Sequence, residues 1–515
     1  MSIQASPAMA VFNVCDFQAS GKKDESAQAA IQRAIDACAE AGGGIVYFPP
    51  GAYTTGTLHL RSHVRIYVEA GATIYSSKDP ASFDKRALFY AEDVENITLE
   101  GRGTIDGQAE YHWHEKTFHD WYIYPNQLVA EKYGQPLQRS FPTDNTVGHL
   151  VVFVRCTDTR IENLNFLHSP SWTMHLWGCE RLNIDGVYIY TSRRDGVWAD
   201  GIDPDGCKDV RIANCTIDTG DDALVFYSGN SYGDARPCEN ITVTNCRLSS
   251  SSSAIKFCDG NMKVIRNVTI DNCVITDSNR GIAFMVFDGG VLENVIISNV
   301  TIETRRHDWF WWGDGDPLHF NLITRSEIDP NIDKTKEPKP GVIRNVILSN
   351  IIAHGPGPNK IHGHASSPLE NVTLDNVRLT VDGDLEAPWK KSPIALTIEN
   401  ARNFKLKDVE IAWESPSNDH WQSALVAQNV TGLVLDGVSA RQAPNGTEAA
   451  AVVVKNVEAA VIRNCHAIEG AGTFLQLAGE ATRDVVVWGN DFRRAHVPVS
   501  LSPEVDPKKV HEGWA

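Results

Sequence analysis

Short segments of alternating apolar and polar residues recur along most of the chain. Each carries the same step: Asn or Asp, then Cys, Val or a small residue, then a second apolar stretch. They read VRIANCTI (210–217), ITVTNCRL (241–248), VTIDNCVI (268–275), VIISNVTI (295–302), VILSNIIA (346–353) and VTLDNVRL (372–379). LVLDGVSA (433–440) and AVIRNCHA (460–467) continue the series. The period of two is that of a strand. Asn214, Asn245, Asn272 and Asn299 follow one another at about 27 to 31 residues, an internal repeat. Asn tolerates left-handed backbone angles, so the Asn-Cys or Asn-Val step suits a tight bend.

Helical repeats of this period need long stretches with a 3.6-residue period, which these segments lack. The Leu framework of a leucine-rich repeat is also missing. What remains is a coil of short strands, one turn per repeat. The expected fold class is all-β, a right-handed parallel β-helix, with rungs about 4.8 Å apart. Residues one repeat apart then stack almost directly above one another. One segment reads as helix: residues 26–41, SAQAAIQRAIDACAEA, with an apolar face of Ala30, Ile31, Ala34, Ile35 and Cys38. Gly42, Gly43 and Gly44 end it, and IVYFPPGAY opens the first strand. Residues 11–50 are thus expected to be an N-terminal cap and first strand, the helix closing the open end of the core. Residues 107–147 interrupt the repeat with the aromatic run YHWHEKTFHDWYIYPNQ, which reads as a functional wall rather than a linker. Residues 494–515 read as a tail along the outside. The pattern shows no domain boundary, so residues 1–515 are expected to form a single domain.

Composition narrows the partners. The net charge of −18 argues against nucleic acid, whose phosphates need a basic surface. It argues weakly against a polyanionic substrate, since charge within a cleft can override the net value. No stretch approaches 18 apolar residues, so no membrane span is expected. The first twenty residues show neither the basic nor the apolar region of a signal peptide, and a cytoplasmic location is the expectation. The eleven cysteines, among them Cys156, Cys179, Cys207, Cys215, Cys246, Cys273 and Cys465, form no CxxC pair or metal-ligand spacing. They read as reduced, buried thiols acting as small hydrophobes. No cofactor or metal is expected, and the oligomeric state is left open.

Two acidic motifs are candidates for chemistry: Asp200-Gly-Ile-Asp203-Pro-Asp205-Gly206 and Thr219-Gly220-Asp221-Asp222. Asp200 and Asp221 are 21 residues apart, close to one short rung. On a coil this brings Asp200 to roughly 5 Å from the Asp221–Asp222 pair. Three carboxylates so close resist joint ionisation, and mutual repulsion is expected to raise at least one pKa. A protonated and an ionised carboxylate side by side are what glycosidic cleavage needs. Two other readings compete: plain turn residues, and a calcium loop built from Asp200, Asp203 and Asp205 with Gly206. Convergence of two motifs from different repeats on one face favours a site.

The chain resembles the polygalacturonase family, glycoside hydrolase family 28. The resemblance rests on the opening FNVCDFQASGKKDESAQAAIQRAIDACAEAGGGIVYFPPGAY, on SPSWTMHLWGCERLNIDGV (169–187) and on ADGIDPDGCKDVRIANCTIDTGDDAL (199–224), and covers most of residues 11–300. It implies a pectin-lyase-like solenoid and an oligosaccharide substrate. It also implies that Asp221 is the general acid and that Asp200 and Asp222 activate water, with inversion at the anomeric carbon. Related bacterial sequences imply exo action. The departures bear on the substrate. The family's Asn-Thr-Asp reads Trp198-Ala199-Asp200. Its Gly-His-Gly falls in Ser251-Ser252-Ser253, with Ser252 in the place of the histidine. Its Arg-Ile-Lys falls on Ala283-Phe284-Met285. In the family the missing cations bind the substrate carboxylate, a role suited to charge-assisted bonds. Their loss points to a neutral sugar such as rhamnose or xylose, with Lys256 as the candidate substitute cation if the sugar is galacturonate.

Several further residues are candidates for sugar contact. Trp172, His175 and Trp177 precede Asp200 by one rung, and sugar C–H faces stack on aromatic rings; ordinary rung packing is the competing reading. Trp198 stands beside Asp200, and Met285 would suit a methyl or a sugar face. Trp311 and Trp312, in His307-Asp308-Trp309-Phe310-Trp311-Trp312, interrupt the coil and are expected to cover the cleft or a partner subunit. Arg193 and Arg194 would either hold the acidic motif or face solvent. Against the hydrolase stand two rivals. One is a β-helix polysaccharide lyase, which needs a basic residue as base; the other is a non-catalytic carbohydrate-binding coil. Fold alone does not choose among them.

Overall fold

Each Asn of the repeat adopts the left-handed conformation that its position demands. Asn214, Asn245, Asn272 and Asn299 have φ of 58°, 55°, 55° and 55°, and Asn350, Asn376 and Asn464 follow at 53°, 53° and 54°. A side chain that bonds to its own kind from rung to rung locks these bends. Asn245 Nδ2 donates to Asn214 Oδ1 at 2.6 Å, Asn350 to Asn299 at 2.9 Å and Asn376 to Asn350 at 2.9 Å. The bend and the alternation together wind the chain into a right-handed parallel β-helix. This computed structural model describes residues 10–116, 139–142, 147–193, 195–307, 313–327, 333–382, 393–415 and 419–513.

The chain divides into two compact units. The first comprises residues 1–117, 138–225 and 230–247; the second comprises 118–137, 226–229 and 248–515. In the first, a line of inward side chains runs Val46, Ile66, Leu99, Ile161, Ile184, Ile212 and Val243, each paired in register with the next. In the second, the corresponding line runs Ile270, Ile297, Leu348, Leu374, Leu406, Leu435, Ile462 and Val487. Nearly all of these are fully buried. Each buried aliphatic side chain contributes about 1.5–3 kcal/mol, so the stacked lines supply the driving force for coiling. Phe257, Phe284 and Phe320 stack within the second unit, with centroids 4.7 and 4.0 Å apart.

The predicted helix is present as Gln28–Glu40, with Ala30, Ile31, Ala34, Ile35 and Cys38 as its buried face. It packs on the first strands, Val11–Asn13 and Gly44–Phe48. The end of the chain differs from the expectation of an outer tail. Ala495–Leu501 pairs in parallel with Ala471–Ala478, and Val510–Gly513 with Arg483–Trp488. The alternation in HVPVSL is enough to form a terminal rung, although Val497 is left exposed. The inserted region begins as an antiparallel pair, Trp113–Lys116 with Arg139–Pro142. All eleven cysteines are free, and all but Cys15 are buried.

Candidate active site

Three successive rungs of the first unit bring the acidic motifs together. Met174–Trp177 pairs with Ile202–Asp205. Just before these strands, the Thr173 N–H donates to the Asp200 carbonyl at 2.8 Å, and the Gly201 N–H donates to the Asp222 carbonyl at 2.9 Å. Trp172, Asp200 and Asp222 therefore occupy equivalent places on consecutive turns. Carboxylate oxygens of Asp200, Asp221 and Asp222 lie within 4.8 Å of one another. Asp200 and Asp222 are 3% and 2% exposed, while Asp221 is half-buried and the most accessible of the three. The Asp222 N–H donates to Asp221 Oδ1 at 3.0 Å, fixing that carboxylate, and Thr219 Oγ1 donates to the Asp221 carbonyl at 2.7 Å.

The close approach requires glycine and one threonine. A Cβ on Gly220 would lie 2.4 Å from the carbonyl oxygens of both Gly196 and Ser192, and one on Gly201 would lie 2.3 Å from that of Ala223. Only hydrogen fits in either place. Thr191, buried at 1%, bridges the two acidic turns: its hydroxyl donates to the Ala199 carbonyl at 3.1 Å and accepts from the Gly220 N–H at 2.7 Å. Nothing in the sequence singles out Thr191, because its role depends on two turns that meet only in the folded coil. Arg193 pairs with Asp218 at 3.4 Å, and Arg194 lies outside the described residues.

The calcium-loop reading is corrected. Asp203 and Asp205 lie on the strand Ile202–Asp205, project from the same side of it, and are 0% and 1% exposed. A strand spreads its side chains in a row, whereas a calcium loop wraps its oxygens round one centre. Asp205 accepts instead from His175 Nε2 at 3.2 Å and from Ser231 Oγ at 3.4 Å. Among the described residues, Asp200, Asp221 and Asp222 are the group whose oxygens are close enough to share a cation. The same proximity places three candidate acid–base groups side by side.

The aromatic candidates divide. His175 and Trp177 point outward from their strand yet are 3% and 2% exposed, so they present no face to a sugar. The segment around Tyr232 covers them. The Tyr232 ring lies 5.5 Å from His175 and 6.1 Å from Trp177, and the Arg236 guanidinium sits 5.1 Å from the Trp177 ring. Trp172 remains half-buried, edge-on to His175 at 4.8 Å and 5.5 Å from His149. Burial pushes the His149 imidazole down to about 3, with the neighbouring His175 and Arg86 adding to the effect. Trp198 is 42% exposed and meets Trp113 edge to face at 5.6 Å. The only signal for Trp113 in the sequence was the aromatic richness of its insertion.

The second unit holds the remaining candidates. Ser252 is buried, its carbonyl accepting from the Arg280 N–H at 2.7 Å, so its hydroxyl is not presented at a surface. Lys256, half-buried, stands in register with Ala283, which pairs with His319, which pairs with Lys360. Arg280, a buried cation the sequence reading passed over, approaches Met285 Sδ at 3.7 Å and Asp316 at 3.6 Å. Asp316 also bonds His319 at 3.0 Å, and Asp314 binds Arg306 at 3.1 Å and Lys360 at 3.4 Å. Arg280, Arg306 and Lys360 therefore each have a carboxylate partner within this unit. Trp311 and Trp312 lie outside the described residues.

Known proteins share both sequence and architecture with the chain. The sequence profile of Glycosyl hydrolases family 28 matches residues 38–308, more than half of the chain. An endo-polygalacturonase of Pectobacterium carotovorum subsp. carotovorum is 26% identical over 233 residues, which are 41% of this chain and 54% of the relative. The chain spans about half, or less, of the length of the curated relatives it matches. An exopolygalacturonase of Thermotoga maritima superposes with a TM-score of 0.60 at 22% identity, covering 78% of this chain and 92% of that one. The family 28 exopolygalacturonase of Yersinia enterocolitica superposes with 0.64 at 19% identity, covering 84% and 79%. At those identities the superpositions establish the β-helix fold alone. The profile match over residues 38–308, which contain all three clustered aspartates, establishes that the chain belongs to glycosyl hydrolases family 28.

Proposed function

We propose that the chain is an exo-acting, inverting glycoside hydrolase that removes a neutral sugar from pectin-derived oligosaccharides. The observation that carries this reading is the clustering of Asp200, Asp221 and Asp222 on consecutive rungs. Asp221, the accessible member, donates its proton to the glycosidic oxygen as the bond to the anomeric carbon breaks. Asp200 and Asp222 take a proton from a water molecule whose oxygen attacks that carbon from the opposite face. Trp172 and Trp198, beside the acidic turns, are proposed to line the sugar's path.

The choice of a neutral sugar rests on Ala283 and Met285, which stand where the family's carboxylate-binding Arg and Lys are placed by the sequence. Eleven free cysteines support action in a reducing compartment, on small oligosaccharides taken into the cell.

A screen of chromogenic glycosides and natural pectic oligosaccharides tests the reading. Proton NMR of the first product, recorded before mutarotation, is expected to show the anomer opposite to that of the substrate. A retained anomer would assign a carboxylate as nucleophile. A product absorbing as a 4,5-unsaturated sugar would make the protein a lyase.

A further inference from the structure

Trp198 is one of the few large apolar side chains left open on the first unit, at 42% exposure. It is separated from Asp200 only by Ala199, which is fully buried and whose carbonyl is held by Thr191. The backbone that carries the indole is therefore fixed to the acidic turns. The ring itself is supported by Trp113, which meets it at an interplanar angle of 76°. Trp113 is 6% exposed, and its indole N–H donates to the Pro170 carbonyl at 2.8 Å, so it is anchored at both its apolar and its polar ends. It stands on the first strand of the antiparallel pair that opens the inserted region.

An exposed indole costs free energy unless something covers it, and at 42% exposure part of the Trp198 ring surface stays open beside Trp113. The six-membered ring of a sugar, with C–H bonds along one face, matches that surface in size and polarity. We propose that the open face of Trp198 is a stacking subsite for a pyranose ring of the substrate, and that Trp113 is the positioning residue that holds it there. Through Trp113 the insertion thereby acts on substrate binding. This inference rests on the hydrolase reading for the identity of the ligand and adds to it a subsite and a positioning residue.

The test separates binding from turnover. The Asp221→Asn protein, which binds without cleaving, is titrated by calorimetry with two probes: trigalacturonate, and a rhamnogalacturonan oligosaccharide with terminal rhamnose. For whichever probe binds, adding Trp198→Ala is expected to weaken affinity about tenfold, and Trp198→Phe to restore most of it. Trp113→Phe, which keeps a ring but loses the bond to Pro170, is expected to raise KM several-fold in the otherwise native enzyme with kcat little changed. A purely structural role for Trp113 would lower stability and leave KM unmoved. Affinity of the Trp198→Ala protein within twofold of its parent overturns the subsite. So does failure of both probes to bind. Cleavage of any glycoside or oligosaccharide of the screen by the native chain keeps the hydrolase reading in either case, so the two failures are distinguishable.

Discussion

The two units coil in the same way and differ in how often the strand breaks at the bend. In the first, rungs are cut at the bend: Glu180–Asp185 is followed by Tyr188–Tyr190 after Gly186, and Lys208–Ala213 by Thr216–Thr219 after Asn214. In the second, Val264–Ser278, Val291–Thr304 and Val342–Gly355 run straight through it with the same left-handed Asn residues, while Ser423–Asp436 and Ala450–Arg463 are cut there again, before Ser439–Ala440 and His466–Ala467. The turns before the next strand differ as well. In the first unit they hold three clustered carboxylates, two glycines that tolerate no Cβ, and a bridging threonine. In the second, Gly281, whose Cβ would lie 2.5 Å from the Pro317 carbonyl oxygen, and Thr304, whose hydroxyl donates to the Gly315 carbonyl at 2.7 Å, take similar structural parts, and the charged residues beside them are Arg280 and Asp316. The apolar lines that drive coiling are alike in both, so burial does not decide where chemistry resides. The proposed chemistry is placed in the turns, where side chains leave the regular ladder and close backbone approach can set them together.

The comparison breaks first at Asp221. Asp221→Asn is expected to lower kcat by about 10²–10⁴-fold, the usual loss when a general acid is removed, with thermal unfolding unchanged. A substrate with a good leaving group should recover part of the activity, since it needs no proton. Near-native turnover on an unactivated oligosaccharide would move the proton donor elsewhere in the cluster.

The next largest effect concerns charge in the second unit. On the family likeness, two charge-assisted partners, each contributing about 1.5–3 kcal/mol, would stand where Ala283 and Met285 are. Catalytic efficiency on trigalacturonate is therefore expected to fall at least about a hundredfold below that on the best oligosaccharide with a neutral terminal sugar. Equal kcat/KM on the two would overturn the neutral-sugar reading and point to Lys256 as a substitute partner for the carboxylate.

Most of the scaffold was legible in the sequence because it is local and repeated. The alternation and the Asn-Cys step specify strand and bend within eight residues, and the helix of residues 28–40 shows its face in one turn's spacing. The carboxylate cluster was legible for a related reason: a separation of about one rung becomes adjacency once the coil is assumed. Position along a strand says which way a side chain points, but not what lies over it. His175 and Trp177 point outward and are still buried, because the segment around Tyr232, remote in sequence, folds across them. Thr191 and Trp113 were missed for the same cause, since each acts through a contact between segments that no local pattern joins. Residues 495–501 were misjudged through their polar composition, although three apolar positions sufficed to add a rung.

Thr191 tests whether the turns are held or merely adjacent. Thr191→Val keeps the shape but leaves the Gly220 N–H and the Ala199 carbonyl without the hydroxyl, at a cost of about 1–3 kcal/mol for each buried group left unpaired. Stability should fall by an amount of that order, and kcat should fall while KM stays close to native; Thr191→Ser should restore both. An unchanged kcat would mean that the glycine contacts alone fix the geometry.

The smallest expected effect contrasts one buried histidine in each unit. Burial holds the His149 imidazole at about 3, helped by His175 and Arg86 and opposed by its bond to the Trp172 backbone. Burial and the charge of Arg280 hold His319 at about 4, opposed by its bond to Asp316. In the unfolded chain both titrate near 6.5. Below about pH 6.5 the unfolded state therefore takes up protons that the folded state refuses, and stability falls as pH falls. The contribution is complete above about pH 6.5 and is lost progressively down to about pH 3 for His149 and about pH 4 for His319. His149→Phe, which keeps a ring against Trp172 and His175, should flatten the decline of the urea midpoint between pH 6.5 and 4.5. His319→Gln should flatten it less, because its imidazole is already partly compensated by Asp316. Equal flattening would remove the contrast between an uncompensated histidine under the first unit's aromatic cover and a carboxylate-paired one in the second. No flattening in either variant would assign the acid sensitivity to the aspartates instead.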